Sequence, residues 1–168
     1  MKARAVIELA ANVLTIAALA VAAGVGVSTL VRHPANSSRP GLHRGERLQV
    51  SGLHLKSGKN LIIALGSKCG FCAASVPFYR QLATSAPSNL TILAAFREDS
   101  PTAESFLRSR NLDLQALGGI DFSALKIAGT PAILLVDGNG KLLDFWLGYL
   151  TPDVEQEVKR AIGAQKAG

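Results

Sequence analysis

The stretch LIIALGSKCGFCAASVPFY, residues 61–79, limits what this chain can fold into more than any other segment. It opens on LIIALG, residues 61–66, a short run with no polar side chain, the mark of a strand covered on both faces. It then carries the two cysteines of the sequence, Cys69 and Cys72. From Cys72 the period changes, with Cys72, Val76, Tyr79 and Ala83 recurring at helical spacing. A second buried run, LTILAAF at residues 90–96, follows Pro87-Ser88-Asn89. Strand, helix, strand at this spacing predicts a parallel crossover unit.

The flanking segments extend that unit. Upstream, RLQVSGLHLKSGKN at residues 47–60 alternates apolar and polar around a glycine, which predicts a small hairpin of strands. Ser100-Pro101 reads as a cap followed by proline in the first helical turn, opening a helix to about Arg110. A short extended piece and a helical turn are expected over residues 112–127. AILLVD (residues 132–137) and KLLDFWLG (residues 141–148) flank Gly138-Asn139-Gly140 and should pair as an antiparallel hairpin. Thr151-Pro152 opens a last amphipathic helix with Val154, Val158, Ala161 and Ile162 inward. The predicted order is β-α-β, an insert, then β-β-α.

Three chemistries compete for the cysteine pair: a redox couple, part of a metal site, or core packing. A disulfide couple needs one thiol ionised near neutral pH and a second close enough to resolve a mixed disulfide. Cys69 at a helix start, beside unpaired N–H groups and next to Lys68, has the setting that lowers a thiol pKa. Cys72, one turn on, falls on the buried face and is the shielded resolving partner. Pro77 should kink the helix there. A zinc site wants four ligands, and the sequence has no second cysteine pair. His33, His43 and His54 all lie upstream, two of them in an irregular stretch, and read as solvent-facing. Core packing alone explains the residue type but not the strand before and the helix after. Gly129-Thr130-Pro131, just ahead of AILLVD, should come close to the end of LIIALG. A cis Thr130–Pro131 bond there would turn the Thr130 backbone outward toward an extended substrate.

The front of the chain is apolar. From Val13 to Val31 no charged residue interrupts the sequence, and nineteen helical residues span roughly 28 Å, about the hydrocarbon thickness of a bilayer. Lys2 and Arg4 with Ala20-Val21-Ala22 resemble a cleaved signal peptide, but the run continues nine residues further, which favours an uncleaved anchor. The net charge of +6 does not indicate a nucleic-acid partner. Residues 1–45 hold five Lys or Arg against one Glu, whereas residues 46–168 hold thirteen against eleven acids. The basic excess therefore flanks the apolar segment, where anionic lipid would attract it, and no basic stripe with interleaved aromatics follows. A bare count of flanking charges would keep the large domain in the cytoplasm, while the signal-like start argues for export.

On these residues the chain resembles the thioredoxin superfamily, specifically the membrane-anchored thiol–disulfide oxidoreductases of the TlpA/ResA type. The resemblance covers roughly residues 44–163. It rests on GKNLIIALGSKCGFCAASVPFY, on the loop KIAGTPAILLVDGNGK, and on the apolar segment ahead of both. It implies an α/β thioredoxin-like fold, a central mixed sheet flanked by helices, with an N-terminal transmembrane helix. The implied layout is an anchor or signal segment at 1–32, a tether at 33–45, a thioredoxin-like domain at 46–164 and a tail at 165–168. By the same resemblance Cys69 is the nucleophile, Cys72 the resolving cysteine, and Thr130-Pro131 the substrate-binding cis-proline loop. Lys68, Gly70, Phe71 and Pro77 are expected to modulate the couple. No metal or other cofactor is implied beyond the redox-active Cys69–Cys72 disulfide.

The resemblance has departures. A tryptophan is usual just before the first cysteine, and here Lys68 stands there. The superfamily's buried acid falls on Ile63, and a glutamate usual after the second cysteine falls on Ser75. Glu98 and Asp99, at the end of the second strand, are the acids nearest in the predicted layout to replace them. The implied activity is a membrane-tethered protein-disulfide reductase on the extracytoplasmic, periplasmic side. Its partners would be exported disulfide-containing proteins, as in cytochrome c maturation, with electrons from a membrane thiol donor and no nucleic acid. The alternatives are a disulfide oxidase or isomerase, or a module that binds copper or a partner through the two thiols. Copper-handling relatives favour a wider cysteine spacing and a distant histidine, and no histidine lies downstream of Cys72. Peroxide-reducing relatives carry a threonine motif that Ser67-Lys68 does not supply.

Overall fold

The computed structural model describes residues 41–48 and 52–163. The expected anchor (1–32), most of the expected tether and the tail lie outside the described residues. Five strands form one sheet in the order β3-β2-β1-β4-β5: β1 Lys59–Leu65, β2 Leu90–Phe96, β3 Gln115–Leu117, β4 Ala132–Asp137 and β5 Leu142–Leu147. β1 runs parallel to β2, and β2 parallel to β3, whereas β4 is antiparallel to both β1 and β5. The sheet is therefore mixed. Among the described residues four helices accompany it: α1 Gly70–Ala74, α2 Val76–Ser85, α3 Ser100–Ser109 and α4 Pro152–Ile162.

The apolar runs are central strands because both faces of β1 are covered. Leu61, Ile63 and Leu65 point into a cluster with Tyr79 and Leu82 of α2, Phe106 of α3 and Val158 and Ile162 of α4. Ile62 and Ala64 point the other way, into a cluster with Leu42, Leu48, Leu53, Phe122 and Leu125 from non-helical segments. From Leu61 to Leu65 alternate side chains thus enter two separate apolar layers. Cys72 belongs to the first, helix-covered layer.

Two local readings are corrected. The alternation over residues 47–60 does not produce a hairpin among the described residues. Arg47 makes a single bridge to Lys141, and regular structure resumes only at Lys59. The buried Asn60 explains this: its amide oxygen accepts from Lys56 N–H at 3.0 Å and its NH2 donates to Lys56 C=O at 2.9 Å, closing a turn over Gly58. Leu48 and Leu53 are apolar because they fill the second layer, not because they face each other across a hairpin. The cap of α3 falls one residue early, on Asp99, whose carboxylate accepts from Thr102 N–H at 3.0 Å. Ser100 is then the first helical residue, with Pro101 after it.

The β4–β5 hairpin forms as the glycine turn predicts. Asp137 organises it by accepting from the N–H groups of Asn139 (2.8 Å) and Lys141 (2.9 Å), and Gly140 takes a φ of 77°. Outside β5 the segment 45–48 continues the sheet: Leu142 N–H donates to Glu46 C=O and Gly45 N–H to Leu142 C=O, both at 2.7 Å. Among the described residues no helix is long and apolar enough to cross a membrane.

Candidate active site

The register of the sheet brings the site together. β1 ends at Leu65 and β4 begins at Ala132, paired with Ala64, so the residues after β1 and before β4 meet at one edge. After β1 the chain turns through Gly66, Ser67 and Lys68, with Cys69 N–H closing the turn on Gly66 C=O at 3.1 Å. Gly66 lies between the two loops: a Cβ on it would be in ordinary contact with Thr130 Oγ1 at 3.4 Å and Cys69 Cβ at 3.5 Å.

Cys69 is the N-cap of α1, and Cys72 N–H points at its Sγ from 3.1 Å. That N–H is aimed at the sulfur, the geometry in which a backbone donor would meet negative charge on it. Cys69 and Cys72 are joined as a disulfide, with Cα atoms 5.2 Å apart. The two sulfurs differ in access. Cys69 is half-buried, whereas Cys72 is 0% exposed and packs among Ile63, Tyr79 and other apolar side chains. Thr130 C=O lies 3.5 Å from Cys69 Sγ, and the Thr130–Pro131 bond is cis. Pro131 C=O in turn accepts from Gly148 N–H at 2.8 Å, which ties the β5–α4 loop to the proline loop.

The remaining candidates divide. Lys68 is exposed beside Cys69, Gly70 is open, and Phe71 projects into solvent at 64% exposure. Pro77 lies exposed in the first turn of α2, and the helical run breaks at Ser75, two residues before it. Ser75 donates its hydroxyl to Phe71 C=O at 2.9 Å and so serves the break rather than the cysteines. Ile63 is wholly buried and leaves the inner side of Cys72 apolar. Asp99 is occupied as the α3 cap. His43 and His54 are exposed, and the described residues contain no cluster of His, Cys, Asp or Glu that could hold a metal.

Glu98 is placed differently. Its Oε1 accepts from both the N–H and the hydroxyl of Ser67, each at 2.7 Å, and so braces the turn that carries Cys69. Burial pushes the Glu98 carboxyl up, but the Ser67 hydroxyl and N–H, with Arg97 beside it, outweigh this and hold it below the usual carboxylate range. Ser67 went unnoticed in the sequence because thirty-one positions separate it from Glu98. The signal was in the register: Leu65 pairs with Phe96, so the residues two further along each parallel strand lie side by side. On its outer side Ser67 borders a groove of about 420 Å³ that runs along α3 past Thr102 and Ser105 to Arg110, so the turn is open to solvent there.

No family model matches the sequence, and no curated protein does. Solved structures do match. A Chlorobium tepidum protein described as a thiol:disulfide interchange protein DsbE superposes with a TM-score of 0.60 at 21% identity, over 72% of this chain and 96% of its own. The thioredoxin domain of a Bacteroides vulgatus thiol-disulfide oxidoreductase gives 0.58 at 17% identity, over 72% and 99%. A secreted Mycobacterium tuberculosis disulfide oxidoreductase gives 0.53 at 19% identity, over 65% and 83%. Together with the mixed sheet, the Cys69–Cys72 disulfide at a helix start and the cis-proline loop beside it, these likenesses show that the described domain has a thioredoxin-like redoxin fold.

Proposed function

We propose that the chain is a thiol–disulfide oxidoreductase, tethered to a membrane by its N-terminal apolar segment, that exchanges disulfides with exported proteins and works as a reductase. One observation carries the reading: of two bonded sulfurs, one is half-exposed beside an open backbone loop and the other is sealed in the core. In the dithiol form the Cys69 thiolate attacks a client disulfide. A Cys69–client S–S bond forms, the client S–S bond breaks, and one client thiolate leaves. Cys72, deprotonated to solvent or to the departing thiolate, then attacks the Cys69 sulfur. The second client thiolate departs and the Cys69–Cys72 disulfide closes, so two electrons have passed to the client. A dithiol donor on the membrane side must return them. Thr130, beside Cys69, is the residue whose backbone would pair with the extended client. The fold shared with a secreted disulfide oxidoreductase supports an extracytoplasmic domain, as does the apolar segment ahead of it.

Two measurements test this on the full chain. Cys72→Ser should accumulate a mixed disulfide with a disulfide-bonded peptide, and Cys69→Ser should abolish exchange. Exchange that survives Cys69→Ser would end the reading. Equilibration with thiol buffers, read by alkylation, fixes the direction. A potential at or below about −250 mV supports a reductase, and one near about −120 to −180 mV makes the chain an oxidase or isomerase.

A further inference from the structure

The end of the sheet away from Cys69 carries a strip of cations. β1 starts there at Lys59 and, seven residues on, ends at Leu65 just before the reactive turn, a run of about 20 Å. Arg47 and Lys141 face each other in an antiparallel bridge, and like charges set directly opposite repel. Asp137 is the acid beside them, its Oδ1 taken up by the N–H groups of Asn139 and Lys141. The β4–β5 turn also abuts the segment before β1, since a Cβ on Gly138 would stand 3.0 Å from Lys56 C=O. Lys59 Nζ donates to Ala161 C=O at 3.2 Å, which adds Lys159 and Arg160 from the last turn of α4. Arg47, Lys56, Lys141 and Arg160 are exposed, and Lys59 and Lys159 are half-buried. Among the described residues none of the six lies within ion-pair distance of a carboxylate. Lys59 bonds to a carbonyl and Lys159 to the Gln81 amide oxygen at 2.7 Å, neutral partners that leave both charges standing. Helix polarity accounts for Lys159 and Arg160 at the end of α4, but not for Arg47, Lys56 and Lys141, which lie on no helix.

We propose that this basic strip is a seat for an anionic phospholipid surface, on which the domain stands with Cys69 turned away from the lipid. The seat rests on the membrane-tethered reading above and adds the surface that the domain meets there. The entry of the chain favours lipid as the occupant. Gly45 N–H donates to Leu142 C=O at 2.7 Å and Leu48 N–H to Gly140 C=O at 2.9 Å, so the chain that follows the apolar segment joins the fold at the strip itself. A surface that already holds the segment meets the strip as a partner within one assembly, where modest charge attraction suffices. The other end of the domain has the opposite character. Asp99 caps α3 there, and Asp153 and Glu155 stand in the first turn of α4, acids that an anionic surface repels. The exposed large aromatic rings among the described residues, Phe71 and Tyr149, also lie at that end, so no stacking platform for a nucleic acid accompanies the cations. An occupant on the strip leaves Cys69 and the proline loop open, and seat and exchange do not compete.

The test reconstitutes the full chain into vesicles of phosphatidylcholine alone or of an equal mixture with phosphatidylglycerol. A membrane-impermeant amine-acylating reagent is added, and labelled sites are read by peptide mass spectrometry. Relative to Lys68, labelling of Lys56 and Lys141 should be about fivefold lower on the anionic vesicles, the factor that one basic residue gains at such a surface. About 0.5 M salt should reverse the fall, because screening then acts within a few ångströms. Arg47→Glu combined with Arg160→Glu should restore the labelling and leave the reduction of hydroxyethyl disulfide unchanged, which shows that the variant is folded. For a chain that floats with both vesicles, equal labelling on the two lipids, or a fall at Lys68 instead, overturns the seat and leaves the tether standing. A fall that survives the double variant also overturns it. Protection by a soluble oligonucleotide but not by phosphatidylglycerol would assign the strip to a nucleic acid and overturn it. Flotation with the anionic vesicles alone, reversed by salt, keeps the seat and removes the tether, and flotation with neither removes both.

Discussion

At Ser67 a single carboxylate fixes the approach of the chain to its reactive sulfur. Glu98 accepts two hydrogen bonds there, and charge-assisted bonds to a partly exposed group are worth about 1 kcal/mol after solvent screening. Glu98→Gln should therefore lower stability by about that amount at neutral pH. The pH dependence follows from the depressed native pKa. The contribution is full above the unfolded carboxylate value, about 4.3, and is lost as pH falls through the lower native value. Denaturant melts of wild type and variant should thus differ at pH 7 and converge below about pH 4. An unchanged gap at low pH would mean that the carboxylate does not brace the turn. Cys69 and Cys72 were legible as candidates because residue type and spacing carry their chemistry, and Thr130 and Pro131 because the family resemblance pairs such a loop with the cysteines. Ser67 was not, because a serine two places before a cysteine has no local signature. Its role depends on a partner supplied by another strand.

The elements were legible where hydrophobic period and turn chemistry agreed. β1, β2 and β4 read as continuous apolar runs because each is covered on both faces, and Asp137 with Gly140 gives the β4–β5 turn its own signal. The hairpin expected before β1, which the described residues do not form, shows the limit. Alternating leucines record that one side of a segment is buried, and an irregular segment packed on a sheet buries one side just as a strand does. Gly118 shows a requirement with no sequence signal at all. A Cβ there would fall 2.2 Å from Ser100 N and 2.4 Å from Asp99 C, backbone atoms at the start of α3. The neighbouring Gly119 N–H donates to Glu98 C=O at 2.7 Å, so this contact also sets where Glu98 starts. Gly118→Ala should cost about 2–3 kcal/mol, the range for overpacking a site that cannot yield. Urea unfolding measures it directly, and a loss below about 0.5 kcal/mol would show that the loop shifts freely.

For the molecule as a whole, the oxidation state and the stability of the fold are linked. A couple that functions as a reductase has its disulfide form favoured, so the oxidised protein should be the more stable one. Closing a loop of four residues adds about 2 kcal/mol on chain-entropy grounds, in the same direction. Calorimetry of the full chain with and without dithiothreitol should show a higher Tm for the oxidised form. A lower one would mark the strained, oxidising kind of disulfide and reverse the proposed electron flow. The sequence pattern anticipated the topology because a crossover unit and a hairpin leave few ways to share one sheet, and their antiparallel contact carries the proline loop to the cysteines. It did not anticipate that the segment before β1 pairs with the start of β5 rather than with itself, since the bonds that join them are backbone bonds with no side-chain signature. Residues 45–48 bond to Gly140, Lys141 and Leu142 where β5 begins, and Arg44 pairs with Asp144 at 2.7 Å. That short stretch acts as a hem on the sheet. A soluble fragment cut at residue 52 would look complete by its helices and strands, yet it would bare the backbone where β5 begins, at Gly140–Leu142, to the next molecule. Where the gene is trimmed therefore decides whether the protein stays monodisperse in the tube.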